Sequence, residues 1–175
     1  MPFQNDINNI LEIGSGAGNK LAQLCWQLYA LGQGVDPSKT AVDFANKKYN
    51  QKCSYTVATA DDLSFFNNKF DLVHFGFCLY LVSRNKINDV IKQADQLLKS
   101  GKFLSIIDFD PHNSYENEYS HFKGLKSYKE NYYKMFCYLG NYSVVNKFSY
   151  SEKSFCFSKN ENDRISLVLL FKENK

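Results

Sequence analysis

The sequence predicts an α/β fold in which helices cover both faces of a mostly parallel sheet. Short apolar segments suited to strands alternate with longer segments of helical periodicity from residue 10 to about residue 107. This alternation is typical of βαβ units, because parallel neighbouring strands need a crossover connection that is usually a helix. The length of 175 residues and the 44% hydrophobic content fit one compact domain.

The first predicted strand, residues 10–13, ends in a glycine-rich turn. Residues 10–18 read ILEIGSGAG, so that Glu12 comes just before a G-x-G-x-G pattern. Glycine lets the backbone bend sharply and lets a ligand approach it without meeting a Cβ atom. The spacing differs from the G-x-G-x-x-G of dinucleotide-binding turns. The turn therefore predicts a site for a nucleoside-containing cofactor.

The next elements continue the alternation. Apolar residues at helical spacing over residues 21–28 predict a helix, and Gly32 is placed to end it. Residues 33–36 predict the second strand, residues 41–48 the second helix, and residues 55–58 the third strand.

The second half of the sheet follows the same pattern. Residues 70–75 are apolar on both sides, as in a buried parallel strand. Residues 84–98 carry the clearest helical stripe, with Ser83 as the expected N-cap. Residues 102–107 predict the fifth strand.

The last third departs from this alternation. A helix is expected over residues 127–139, and its aromatic residues at near-helical spacing are interpreted as a packing stripe. Residues 144–150 and 165–171 predict two late strands that close the sheet as a hairpin pair.

Acidic residues and glycines stand at the ends of the predicted strands. Right-handed crossovers bring the carboxyl ends of parallel strands to one edge, where α/β sheets bind ligands. The residues that we expect at this edge are Glu12, Gly14, Asp36, Asp61, Gly76 and Asp108.

Composition argues against several other classes of protein. The net charge of +3 comes without a dense block of basic residues, which disfavours nucleic-acid binding. The five cysteines form no C-x-x-C pair for zinc or redox chemistry, and we expect reduced thiols in a cytoplasmic protein. No apolar stretch approaches the ~20 residues of a membrane span. The oligomeric state is left open.

In this order and spacing, the segments resemble the class I S-adenosylmethionine-dependent methyltransferases, in particular small members similar to methyltransferase type 11. The resemblance runs from about residue 10 to residue 171. It implies one domain over residues 1–175, with a three-layer Rossmann-like fold. Its sheet would have seven strands, mostly parallel, with the last strand antiparallel. The cofactor would be S-adenosyl-L-methionine, and residues 108–140 would cover the substrate.

The resemblance also assigns the cofactor residues. The glycine turn would lie under the methionine part, and the Asp36 carboxylate would accept hydrogen bonds from the ribose hydroxyls. Thr59 stands where the family usually has the acidic residue of its adenine-binding loop, so that Asp61 or Asp62 would replace it. The expected cofactor-binding residues are Glu12, Gly14, Ser15, Gly16, Asp36, Thr59, Ala60, Asp61, Gly76 and Phe77.

Acids, imidazoles and phenols follow the fifth strand and are candidates for the chemistry. In a methyl transfer the protein orients the acceptor and, for a hydroxyl, supplies a base. Together with a similarity of residues 110–135 to methyltransferases of surface-glycan assembly, they favour oxygen methylation of a small-molecule or glycan-precursor acceptor. The predicted catalytic residues are Asp108, His112 and His121, and the predicted substrate residues are Tyr80, Asp110, Tyr115 and Tyr119.

Structural interpretations compete with some of these roles. Asp108 can hold a backbone amide instead, and His74 is expected to pack in the core. Lys123, Lys126 and Lys129 indicate either a contact with an anionic substrate or a solvated face.

Three other functions are weighed against methyl transfer. A non-catalytic binding subunit would keep the fold and lose the chemistry. An NAD-dependent oxidoreductase would need a third glycine one position later than Gly18. Nucleic-acid methylation is disfavoured by the charge pattern.

Overall fold

The computed structural model describes residues 6–119 and 121–174, which form a seven-stranded sheet, a two-stranded hairpin and four helices. The elements in chain order are β1 Asn9–Ile13, α1 Asn19–Leu28, β2 Leu31–Asp36, α2 Lys39–Lys48, β3 Cys53–Val57, β4 Phe70–Gly76, α3 Ile87–Leu97, β5 Leu98–Phe109, β6 Tyr115–Glu118, β7 Lys126–Lys129, α4 Tyr133–Cys137, β8 Tyr142–Ser151 and β9 Arg164–Lys172. A short 3-10 helix, Leu79–Leu81, follows β4.

The strand order of the sheet is β3-β2-β1-β4-β5-β9-β8. Strands β1 to β5 are parallel, and β9 runs antiparallel to both of its neighbours, β5 and β8. The last strand is thus inserted between β5 and β8. This arrangement confirms the predicted seven-stranded, mostly parallel sheet with an antiparallel last strand.

Two apolar clusters lie on opposite faces of the sheet and give the fold its three layers. One contains alternate residues of β1, β4 and β5, such as Leu11 and Val73, together with the buried sides of α3 and α4. The other contains Ile10 and Leu72 with the buried residues of α1 and α2. Successive residues of a strand point to opposite faces, so that both faces of β1 and β4 are buried. No helix within the described residues is long and apolar enough to cross a membrane.

Gly32 has a different role from the one predicted. Helix α1 already ends at Leu28, and Tyr29 takes the left-handed conformation there with φ of 56°. Gly32 lies in β2, where a Cβ atom would come within 2.5 Å of Cys25 Sγ. The prediction that Gly32 ends the helix is therefore wrong: its missing side chain lets α1 pack closely on β2.

Two helices begin later in the chain than the sequence predicted, at Tyr133 instead of residue 127 and at Ile87 instead of residue 84. Residues 126–129 form strand β7, which pairs antiparallel with β6, and α4 covers only Tyr133–Cys137. Tyr132 and Phe136 are nevertheless buried, as a packing stripe requires. Helix α3 begins at Ile87, and no side chain caps it, so Ser83 is not its N-cap.

Candidate functional site

The glycine turn after β1 is joined directly to the end of β2. The amide of Gly14 donates to the carbonyl of Val35 at 2.9 Å. The amide of Gly16 donates to Asp36 Oδ2 at 2.8 Å, and the other Asp36 oxygen accepts from the amide of Ser38 at 2.9 Å. The structure therefore brings the predicted glycine turn and the predicted acidic residue together.

Two glycines of the turn meet different surroundings. Gly14 has φ of +76°, and a Cβ atom there would lie 2.5 Å from Cys78 Cβ. Gly16 has φ of +50°, but a Cβ atom on it would meet nothing within 4 Å. Gly14 is therefore required for close packing against the segment after β4. Gly16 borders open space, from which a ligand can reach the backbone.

Glu12 lies beneath the end of β4 with its carboxyl group almost fully enclosed. The residue is 1% exposed, and a Cβ atom on Gly76 would lie 2.6 Å from its Oε1. Burial raises the pKa of Glu12 to about 8. Its Oε2 is buried without a hydrogen-bond partner among the described residues, and so is Ser15 Oγ nearby in sequence. These atoms lack the partners that buried polar groups normally have.

His74, on the neighbouring strand β4, lies beside Glu12 and continues the buried polar residues across the sheet. Its Nε2 lies 3.8 Å from Glu12 Oε1, and its Nδ1 lies 3.2 Å from Ser105 Oγ. Burial lowers the pKa of His74 to about 4, so the imidazole is neutral at pH 7. The pair is accordingly a neutral acid beside a neutral imidazole, and His74 is packed in the interior as expected.

The loop after β3 starts beside Asp36. The amide of Ala58 donates to the carbonyl of Asp36 at 3.2 Å. Asp61 Oδ2 lies 3.1 Å from Lys86 Nζ, and this hydrogen bond, with a smaller one from Thr59, lowers the pKa of Asp61. Thr59 is exposed and Ala60 is half-buried. The loop predicted to hold adenine thus lies at the same edge as Asp36. Its Asp61 carboxylate already forms an ion pair with Lys86.

Four aromatic rings, which we call the aromatic cluster, cover the ends of β4 and β5. The cluster consists of Phe77, Tyr80, Phe109 and Tyr119. The Phe77 ring lies 4.9 Å from Tyr80 and 5.0 Å from Phe109, Tyr80 lies 5.2 Å from Phe109, and Tyr119 lies 6.1 Å from Tyr80, between centroids. Phe77 directly follows Gly76 and has a positive φ of 72°. The sequence prediction omitted Phe109, although it lies between two candidate acids.

The Asp108 side chain, at the end of β5, forms a hydrogen bond with the 3-10 helix Leu79–Leu81. It is 2% exposed and accepts hydrogen bonds from the amides of Phe109 at 2.8 Å and Tyr80 at 3.3 Å. Burial raises the pKa of Asp108 to about 7, against the lowering effect of these hydrogen bonds. The carboxyl group therefore positions Tyr80, and it titrates close to neutral pH.

Two predicted substrate residues, Asp110 and Tyr115, form polar contacts with residues of β8 and of the β8–β9 loop. The Asp110 carboxylate binds Lys147 Nζ at 2.6 Å and accepts from Ser149 Oγ at 2.6 Å. The Tyr115 hydroxyl donates to Asn162 Oδ1 at 2.9 Å. Both side chains thus have protein partners in the structure, and their contacts with substrate stay predictions.

The two predicted catalytic histidines lie on the surface. His112 is exposed, and its backbone amide donates to Glu161 Oε2 at 3.1 Å. His121 is also exposed, and its ring lies 5.3 Å from that of Tyr119. Neither imidazole has the buried environment that Asp108 has, and their catalytic roles stay predictions.

The three lysines grouped in the sequence lie in different environments. Lys123 is exposed, and Lys126 is paired with Glu116 across the β6–β7 hairpin. Lys129 is buried with its ammonium against the ring of Phe109. The even spacing of these lysines in the sequence gave no sign of this difference, because the hairpin that causes it was not predicted.

A groove of about 440 Å³ opens on the α1 face of the sheet. Its walls are mainly apolar, with side chains such as Leu24, Leu72 and Leu167, and His74 lies among them. None of the predicted cofactor, catalytic or substrate residues lines this groove. It reaches His74 and Ser105, the two residues that continue from Glu12 across the sheet, but not Glu12 itself.

Comparison with known proteins supports the expectation from sequence. A family model described as a methyltransferase domain matches residues 10–101. The ubiquinone/menaquinone biosynthesis C-methyltransferase UbiE of Rickettsia typhi is 31% identical over 117 residues, covering 61% of this chain. An uncharacterized methyltransferase of Synechocystis is 28% identical over 99 residues, covering 57% of this chain. The chain spans less than half the length of each relative, 46% in both cases.

Solved structures share the fold at low sequence identity. The N-methyltransferase NodS from Bradyrhizobium japonicum, in complex with S-adenosyl-L-homocysteine, is 16% identical with a TM-score of 0.73. That alignment covers 99% of this chain and 84% of NodS. The 1,6-didemethyltoxoflavin-N1-methyltransferase from Burkholderia thailandensis is 12% identical, with a TM-score of 0.73 and coverage of 95% and 71%. At these identities the likeness concerns the fold alone.

Proposed function

The chain belongs to the methyltransferase domain family, and on this premise we propose that it transfers a methyl group from S-adenosyl-L-methionine to an oxygen atom of a small-molecule or saccharide-like acceptor. The observation that carries the proposal is the junction between the glycine turn and Asp36, where Gly16 donates to Asp36 Oδ2 at 2.8 Å. This junction places backbone amides, a carboxylate and open space at one edge of the sheet.

The residues at the junction suit the proposed cofactor. Each Asp36 oxygen accepts one hydrogen bond from the described residues, and a carboxylate oxygen can accept a second. Asp36 can therefore hold the two ribose hydroxyls without losing its contacts to the backbone. Glu12 Oε2 and Ser15 Oγ are buried and have no hydrogen-bond partner in residues 6–119 or 121–174, and we assign these polar atoms to the methionine part.

The remaining cofactor residues are proposed from their places at the same edge. We assign Thr59, Ala60 and Asp61 to the adenine, and Gly76 and Phe77 to the methionine side. When bound, the cofactor supplies a methyl group on a positively charged sulfur.

We propose Asp108 as the base that takes the proton of an acceptor hydroxyl. A base works best when its pKa lies near the working pH, and burial raises the pKa of Asp108 to about 7. His112 and His121 are exposed, which makes them weaker candidates. Tyr80 and Tyr119 of the aromatic cluster would form the wall against which the acceptor lies. The relatives include a C-methyltransferase and N-methyltransferases, so the choice of oxygen depends on Asp108.

We further propose that the chain is a single domain in which residues 108–140 cover the acceptor. Strand β7 of this segment packs on the 3-10 helix Leu79–Leu81, which carries Tyr80.

We also propose a cytoplasmic location. The five cysteines are free, which agrees with this location.

The proposal is tested with S-adenosyl-L-methionine that carries a ¹³C-labelled methyl group. The protein is incubated with this cofactor and the small-molecule fraction of a cell extract, and the products are examined by NMR, with Asp36→Ala at low cofactor concentration as the control of weakened cofactor binding. A labelled methyl whose chemical shift is that of a methyl on oxygen supports the proposal. A methyl on nitrogen or carbon contradicts the choice of oxygen. Tight cofactor binding without any labelled product favours the non-catalytic subunit.

A further inference from the structure

The ammonium group of Lys129 lies among aromatic rings at the end of strand β7. The residue is 8% exposed, and its Nζ lies 4.0 Å from the centre of the Phe109 ring and 5.6 Å from that of Tyr115. Tyr115 is the register partner of Lys129 in the β6–β7 hairpin. The hairpin pairing thus places Tyr115 beside Lys129, and the end of β5 supplies Phe109.

No carboxylate in residues 6–119 or 121–174 forms an ion pair with Lys129. Its ammonium donates to the carbonyl of Asn162 at 3.2 Å. Burial lowers the pKa of Lys129, partly opposed by Asp163. An ammonium has three donors, so hydrogen-bonding capacity is left over. The contact with Phe109 offsets part of the cost of burial but satisfies no N–H donor in the way that an oxygen does.

Lys172 is another buried lysine, and unlike Lys129 it has a carboxylate partner among the described residues. It is 7% exposed, and its Nζ lies 2.8 Å from Asp95 Oδ1. It also donates to the backbone carbonyls of Asp95 and Leu98. A buried charge normally has such a counter-charge, because an unpaired one is costly. Lys129 departs from that rule at the edge where the acceptor is proposed to bind.

The location of Lys129 connects it to the proposed reaction. Its ammonium contacts Phe109, whose ring lies 5.0 Å from Phe77 and 5.2 Å from Tyr80. Phe77 follows Gly76, which we assigned to the methionine side of the cofactor. Arg84, another cation near this segment, is already paired with Glu130 at 3.1 Å.

We propose that the methyl acceptor carries an anionic group, a carboxylate or a phosphate, that pairs with the Lys129 ammonium while a planar part of the acceptor lies against the aromatic cluster. This inference rests on the proposed function. The anion supplies a counter-charge and further hydrogen-bond acceptors, which the described residues do not provide beyond the Asn162 carbonyl. Lys129 thereby selects the acceptor and sets its orientation, without touching the methyl group itself.

The inference is tested with three probes that share a hydroxylated ring: 4-hydroxybenzoate, 4-hydroxyphenyl phosphate and the neutral 4-hydroxybenzamide. Calorimetry is run on the full chain saturated with S-adenosyl-L-homocysteine. We expect at least one anionic probe to bind about 10- to 100-fold more tightly than the amide, the range of a charge-assisted hydrogen bond. The stronger of the two anions identifies the group. Equal binding of all three, or binding of none, would overturn the inference.

Variants separate Lys129 from a general effect of positive charge. Lys129→Met should abolish the preference for the anion, and Lys129→Arg should keep part of it. Lys126→Met, a change at an exposed lysine of the same hairpin, should leave the preference unchanged. Retention of the preference in Lys129→Met would contradict the assignment.

Two controls distinguish the possible failures. Thermal unfolding without ligand should show Lys129→Met to be at least as stable as the wild type, because the change removes an unpaired buried charge. A purely structural lysine would instead lower the melting temperature on removal. Absence of S-adenosyl-L-homocysteine binding to the wild type would refute the proposed function itself. Normal binding of it to wild type and Lys129→Met, with no anion preference, would refute the Lys129 inference alone.

Discussion

Gly16 and Asp36 are joined by a hydrogen bond of 2.8 Å from the backbone amide to Oδ2, across the gap between the first and second strands. The two residues are 20 positions apart in the chain. Their contact joins the glycine turn and the tip of β2 into one structural unit. The proposed cofactor site depends on this unit more than on any other feature.

Asp36→Ala should weaken the binding of S-adenosyl-L-methionine by about 1.5–3 kcal/mol, because it removes the acceptor of charge-assisted hydrogen bonds. The measurement is isothermal titration calorimetry. Asp43→Ala is the matched control, since Asp43 is an exposed acid on α2 that pairs only with Lys39 among the contacts described. Equal affinities of the two variants would refute the assignment of Asp36 to the ribose.

Alanine at Gly14 should be far more harmful than alanine at Gly16. Both positions have positive φ, which costs an alanine about 1–2 kcal/mol. At Gly14 the new Cβ would also lie 2.5 Å from Cys78 Cβ, and overpacking of this kind adds about 1–3 kcal/mol. Urea denaturation of both variants measures the difference. Equal losses would show that the turn does not pack on Cys78 in solution.

Glu12→Gln should alter how stability depends on pH. The pKa of Glu12 is about 8 in the folded protein against a reference of 4.5, so the folded state keeps a proton that the unfolded state gives up between these values. The free energy of unfolding of the wild type should therefore fall as pH rises through this window, by at most about 1.4 kcal/mol per unit from this residue. The glutamine variant lacks this contribution.

The comparison is made by denaturant unfolding of both proteins at several values between about pH 5 and about pH 8. His74, whose pKa of about 4 gives a contribution of opposite sign below pH 6.5, lies beside Glu12, so the two proteins are compared mainly at the upper end of this range, where the His74 contribution levels off. The variant should gain stability relative to the wild type as pH rises. Parallel curves would mean that Glu12 is ionised in the folded protein.

The parallel half of the fold could be predicted because local and long-range signals agree there. The stretch from Ile10 to Gly18 combines an apolar strand with a glycine spacing suited to a tight turn, and the order of the segments after it supports the same fold. Buried strands such as Phe70–Gly76 are apolar on both sides, which separates them clearly from the helices. Asp36 and Asp108 could be placed at one edge because strands that run parallel have their carboxyl ends at the same edge of the sheet.

The hairpin after β5 could not be predicted, because its strands carry no clear apolar alternation. Strand β6 reads YENE and β7 reads KSYK; the two strands pair with each other, and β7 also packs on the 3-10 helix Leu79–Leu81. Tyr128, Tyr132 and Phe136 have helical spacing, and this spacing wrongly predicted a helix from residue 127. The burial of Lys129 and the contact of Phe109 with Phe77 depend on this hairpin and on the end of β5. Sequence patterns alone do not reveal such tertiary contacts.

The central claim is that the glycine turn and Asp36 form a site for an adenosyl sulfonium cofactor, and calorimetric titration of the wild-type chain with S-adenosyl-L-homocysteine and, separately, with NAD tests it most directly. We expect saturable binding of S-adenosyl-L-homocysteine at one site per chain, and no heat of specific binding with NAD. Saturable binding of NAD together with no binding of S-adenosyl-L-homocysteine would contradict the account.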